Sequence, residues 1–222
     1  MSAASVEQPF EEPLEDEEPV TLTAIADEIM ERHPGYRVEI IGDHLLVTPS
    51  PDAPHARALT GLMIPFIAAG LHGDETQVLQ NVGLWLPTGD EDYAIPDLVV
   101  AETDIDDHFV QNNAYDPACF RLVLEVTSRN WRDDLRTKAA AYAEAKVPVY
   151  VIVDRAHQRV HVLTDPTQDD YRGHHYGTHR VHASGELVTL PDSLGAKVTL
   201  DAAEILEAGR SKRSAAAPCA DD

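Results

Sequence analysis

The chain is 222 residues long, enough for one domain with tails and a sizeable core, and 39 acidic against 17 basic residues give it a formal charge of −22. That balance repels phosphate backbones and anionic membranes over most of the surface, so a nucleic-acid reading needs a local positive patch. Cys119 and Cys219 form neither a disulfide framework nor a zinc spacing and fit a reducing cytoplasm.

Residues 1–19, MSAASVEQPFEEPLEDEEP, are acidic and proline-bearing with few apolar side chains. They lack the basic and apolar regions of a signal peptide and predict a disordered tail. One domain is expected over residues 20–207, with a second disordered tail over 208–222. Thr21 to His33 carries Leu22, Ile25, Ala26 and Ile29 at helical spacing and stops at Pro34-Gly35, which predicts a short amphipathic helix. Tyr36 to Ile41 and Leu45 to Thr48 flank Gly42-Asp43 as a hairpin. Pro54 to Ala69 reads as a second helix, with Asp52 able to cap it and His55 at its start. No membrane span is expected, since the longest apolar patch, Leu59 to Leu71, is short and interrupted by Pro65.

Val78 to Leu86 and Ile95 to Val100 are strand candidates separated by a turn-rich acidic loop, and Asp97 lies just inside the second. The stretch RLVLEVTSRNWRDDLRTKAAAYAEAKVPVYVIVD, Arg121 to Asp154, then reads as strand, helix, strand. Leu122 to Val126 predicts a strand buried on both faces, and Asp133 to Ala145 a helix with Asp134, Lys138 and Tyr142 on one side. Val149 to Val153 returns into the same sheet as a parallel neighbour. Beyond it, Arg159 to Leu163, Tyr171 to Tyr176, Arg180 to His182 and Glu186 to Leu190 predict short antiparallel strands extending the sheet, before a closing helix from Asp201 to Leu206. The histidines between His174 and His182 lack a zinc spacing and are expected on a solvated hairpin. The pattern is α/β with a mixed sheet.

Glu125 stands out because burying an ionised carboxylate costs several kcal/mol unless a cation or hydrogen bonds receive it. Asp97 and Glu125 come from neighbouring predicted strands, and two such carboxylates can chelate a hard divalent cation such as Mg²⁺ while leaving waters for a phosphate. A cation held so polarises a phosphodiester, and Lys138 from the following helix could orient the water or neutralise developing charge. Alternatively, Lys138 pairs with Asp134 on an exposed helix face, and Asp97 serves a turn. His55 and Glu39 are secondary contributors. Arg129, Arg132, Arg136 and Lys138 cluster after Glu125 as a local basic patch, with Asp133 and Asp134 diluting it.

The order of AIPDLVV from Ala94, LVLEVTS from Leu122 and DDLRTKAAAYAEAKVPVYVIVD from Asp133 resembles the PD-(D/E)XK nuclease superfamily. With GYRVEIIGDHLLVTPSP from Gly35, His55 and the closing KVTLDAAEI, the detail is similar to its Uma-two branch of restriction-endonuclease-like proteins. The resemblance implies a restriction-endonuclease-like mixed central sheet flanked by helices, with an antiparallel extension. It also implies a metal-dependent nuclease in which Asp97 and Glu125 bind Mg²⁺ or Mn²⁺ and Lys138 assists. The superfamily's lysine two residues after the glutamate is Thr127 here, and Lys138 sits where a helix-borne replacement would fall.

Three functions remain open at this level. The first is a metal-dependent endonuclease hydrolysing DNA, expected to be cytoplasmic and homodimeric because cutting both strands calls for two sites. The second is a catalytically silent nuclease-fold module that binds DNA or a protein partner. The third is a metal-dependent hydrolase of a small phosphorylated substrate.

Overall fold

The computed structural model describes residues 20–127 and 134–210, and the segments 1–19 and 211–222, with Arg129, Arg132 and Asp133, lie outside the described residues. Helix α1 (Leu22–Arg32) starts where the Thr21 side chain accepts from the Ala24 amide. Strands β1 (Arg37–Ile40) and β2 (Leu45–Thr48) form the entry hairpin. Gly42 and Asp43 both take positive φ between them, a conformation that glycine and aspartate tolerate. Helix α2 (Ala53–Ala68) has Asp52 as its cap, its side chain accepting from the His55 amide.

The stretch read as one strand from Val78 to Leu86 is two, β3 (Thr76–Gln80) and β4 (Gly83–Trp85), which belong to different sheets. The break falls at Asn81, whose φ is 54°. Gly83 then passes so close to the neighbouring strand that a Cβ there would lie 2.5 Å from the Asn113 carbonyl oxygen. Ile95 to Val100 is likewise divided between β5 (Tyr93–Ala94) and β6 (Leu98–Glu102). Pro96, with no N–H to donate, lies between them, and Asp97 occupies the bend that opens β6. The acidic loop that follows contains β7 (Phe109–Gln111) and β8 (Ala114–Tyr115).

Strand β9 (Phe120–Thr127) is buried along almost its full length. The helical segment after it opens as a π-helical turn, Asp134–Lys138, and continues as α3 (Ala139–Glu144). Strand β10 (Val149–Asp154) pairs with β9 in parallel, Ile152 opposite Glu125. Strands β11 (Arg159–Asp169) and β12 (Gly173–Ala183) form one long hairpin in place of three short strands, with Tyr171 in its turn. Strand β13 (Leu187–Thr189) leaves the main sheet and pairs with β14 (Thr199–Asp201), ahead of helix α4 (Ala202–Ala208). The antiparallel extension is therefore carried by the long hairpin, and the expected contribution of Glu186 to Leu190 forms a separate ribbon.

The central sheet has the order β12-β11-β10-β9-β6-β3, mixed because β9 and β10 alone run parallel within it. The second large sheet has the order β2-β1-β5-β4-β8-β7. Alternation along β9 divides the core: Leu122, Leu124 and Val126 join α2 and α4 residues such as Leu62, Phe66 and Leu206. Val123 points to the other layer, with Ala139, Tyr142, Tyr150 and Ile152. Glu125 shares that second face, where the apolar layer gives way to charge.

Candidate active site

Four elements deliver charged side chains to this place. Glu125 projects from β9 into the layer occupied by α3, and Asp97 stands one step beyond the Leu98–Leu124 pair of β6 and β9. Asp97 is tied to β9 directly, its Oδ2 accepting from the Val126 amide at 2.8 Å. Glu39 arrives from β1 of the second sheet, and its Oε1 accepts from the Ile95 amide at 2.8 Å. Glu39, Asp97, Glu125 and Lys138 are each no more than 3 % exposed.

Charges so buried need partners, and they have them. Lys138 Nζ lies 2.7 Å from Glu125 Oε1 and 3.0 Å from Glu39 Oε1, joining carboxylates of the two sheets. Tyr142, one helical turn on, donates its hydroxyl to the same Glu125 oxygen at 3.1 Å. The alternative in which Lys138 lies on an exposed helix face is excluded by its burial. The lysine comes from the last residue of a π-helical turn, a local departure that often accompanies functional positions.

Asp97 has its own set of donors. Arg37 Nη1 lies 2.9 Å from Oδ1, and His55 Nε2 lies 2.9 Å from Oδ2. Burial raises the Asp97 pKa, but the His55 hydrogen bond, the Arg37 and His55 charges and the Val126 amide outweigh it and hold the group far below the ordinary carboxylate range. Burial also opposes the Arg37 charge, and the fields of Glu125, Glu39 and Asp97 more than offset it, keeping the guanidinium charged. Tyr142 is pushed well above the usual phenol range by burial and then by Glu125 and Glu39, so it stays a donor.

His55 is aimed by the cap of α2. Asp52 fixes the first turn, and Arg155 clamps Asp52 with Nη1 and Nη2, each at 3.1 Å. The same arginine donates Nε to the Gly209 carbonyl at 2.8 Å, tying the start of α2 to the end of α4.

Five residues read from the sequence thus meet: Asp97, Glu125, Lys138, Glu39 and His55. Arg136 is exposed on the π-helical turn, while Arg129 and Arg132 lie outside the described residues. Arg37 was missed. Its signal was available, because it stands two residues before Glu39 on a strand and so shares that residue's face. The histidines from His174 to His182 lie at exposed or half-exposed positions of β12, whereas His161 on β11 is buried and its Nδ1 lies 2.9 Å from His179 Nε2.

The oxygen donors fit a hard divalent cation in their chemistry. Among the described residues no group of three or more His, Cys, Asp or Glu side chains is assembled to hold a metal ion. An ion held by Asp97 and Glu125 alone would have to complete its shell with water, as Mg²⁺ commonly does.

A family model described as Uma2, putative restriction endonuclease, matches residues 26–203. Four solved chains are similar to this one. One is the crystal structure of a putative nuclease belonging to DUF820 from Anabaena variabilis ATCC 29413, at TM-score 0.53 and 12% identity over 78% of this chain and 91% of that one. At that identity the likeness is one of fold. No curated protein matches.

Proposed function

The chain belongs to the Uma2 family of putative restriction endonucleases, and we propose that it is a metal-dependent endonuclease hydrolysing DNA phosphodiester bonds. The observation that carries this reading is the buried Lys138 shared by Glu125 and Glu39 beside Asp97. Asp97 and Glu125 would hold Mg²⁺ or Mn²⁺, and an ion held so polarises the phosphodiester and acidifies the attacking water.

The chain's own residues do the rest. Arg37 and His55 keep Asp97 ionised and oriented, and Tyr142 orients Glu125 by donating to it. Lys138 supplies fixed positive charge against the negative charge that grows on the phosphoryl oxygens, in buried surroundings that make that charge count. Arg136, with Arg129 and Arg132, would contact backbone phosphates and give the acidic protein its local positive surface. The nuclease domain spans residues 20–207 in this reading and acts as a homodimer in the cytoplasm, for which sedimentation is expected to give twice the chain mass. No helix among the described residues is long and apolar enough to cross a membrane.

Incubating the purified protein with plasmid DNA and Mg²⁺ or Mn²⁺ tests the proposal. Cleavage that stops with a chelator and with Glu125→Gln supports it, and cleavage indifferent to both refutes it. The net charge of −22 favours a second reading, a nuclease-fold module that binds DNA or a protein partner without cutting. Magnesium-dependent DNA binding without cleavage would select that one.

A further inference from the structure

Arg37 differs from the other charged groups of the site in two respects. Its side chain is 22% exposed where those of Glu39, Asp97, Glu125 and Lys138 are at most 5% exposed, so with His55, at 13%, it joins the buried cluster to solvent. Its guanidinium is also half used. Nη1 is committed to Asp97 Oδ1 at 2.9 Å. Nε is shielded from water with no hydrogen-bond partner, and Glu39 Oε2 lies 3.9 Å from it. Nη2 likewise makes no hydrogen bond among the described residues.

Nε and Nη2 form the edge of a guanidinium that presents two parallel N–H donors, the geometry that receives a pair of phosphate oxygens. An unsatisfied buried donor is costly and calls for a ligand or a catalytic role. The Nη1 contact locks the plane of the group against Asp97, so little rotamer freedom remains to be lost when an anion docks. We infer that Arg37 is the phosphate-binding arginine of this site, holding Asp97 with Nη1 and receiving the non-bridging oxygens of the scissile phosphodiester on Nη2 and, once the groups that shield it give way to the anion, on Nε. The inference rests on the nuclease reading and adds a substrate contact to it.

The deciding variant is Arg37→Lys in the full chain, which keeps a charge for Asp97 but has no two-donor edge. Arg37→Gln serves as the charge-free comparison. Steady-state kinetics with Mg²⁺ are measured on duplex DNA and on bis(p-nitrophenyl) phosphate, a diester without bases, and DNA affinity is measured separately with Ca²⁺. The expected result for Arg37→Lys is a KM about tenfold higher on both substrates with a smaller fall in kcat, and a matching loss of affinity in Ca²⁺. Thermal melting close to wild type would show the variant to be folded.

A folded Arg37→Lys with unchanged KM and affinity, in a wild type that cleaves, overturns the inference and leaves the nuclease reading standing. A fall in kcat alone also overturns it, because that marks a residue acting only through Asp97. If wild type binds DNA without cutting, the affinity ratio decides alone by the same criterion. A wild type that neither binds nor cleaves removes the nuclease reading and this inference together.

Discussion

Lys138 Nζ stands 2.7 Å from Glu125 Oε1, and the two side chains come from successive elements, β9 and the π-helical turn before α3. The same ammonium reaches Glu39 on the other sheet at 3.0 Å, so one cation joins both halves of the fold. Position and charge are therefore coupled: the group proposed to act on substrate also keeps two buried carboxylates tolerable.

Lys138→Met tests that coupling. It leaves Glu39 and Glu125 without a shared buried cation and is expected to cost about 3–5 kcal/mol in chelator. A divalent ion supplies replacement charge, so Mg²⁺ should restore part of the loss. Urea denaturation with and without Mg²⁺ measures both effects. A loss within about 1 kcal/mol, the range of surface pairs, would show that the lysine does not neutralise the cluster.

Tyr142→Phe removes the hydroxyl donated to Glu125 and keeps the ring, whose centroid lies 4.9 Å from that of Tyr150. The expected cost is about 1–2 kcal/mol, with the fold retained. Circular dichroism and denaturant midpoints check this, and a stability equal to wild type would mean that Glu125 does not depend on the tyrosine.

Much of this site was legible because buried charge is conspicuous in a sequence. Glu125 interrupts an apolar run, Asp97 follows Pro96 at the head of another, and Lys138 and Tyr142 are spaced to share a helix face. What was not legible depends on distant chain. The break between β3 and β4 turns on Gly83 meeting the Asn113 backbone, a contact that local pattern does not announce. The long hairpin was read as fragments because Asp165 and Pro166 look like a turn, whereas Asp165 takes a φ of 63° and is passed over in the pairing as the strand continues. Arg37 was overlooked because an arginine at the first position of a strand reads as a solvated end until its partner, Asp97, is known.

Acid should weaken the fold through His161. Burial, then the neighbouring His179 imidazole, push its pKa from 6.5 to about 4, with Asp154 opposing less strongly and Arg159 and His157 adding smaller effects. The folded protein thus keeps His161 neutral where the unfolded chain would protonate it. Its stabilising contribution is present above pH 6.5 and is lost as pH falls from there through about 4. His161→Phe should flatten the dependence of Tm on pH across that window, and an unaltered slope would contradict the assignment.

The most direct test of the account is equilibrium Mn²⁺ binding to the full chain, followed by electron paramagnetic resonance for wild type, Asp97→Asn and Glu125→Gln. The account predicts a bound ion in wild type that both substitutions abolish or weaken at least about tenfold, each having removed one carboxylate ligand. Binding of equal strength in all three proteins, or none in wild type, would contradict it.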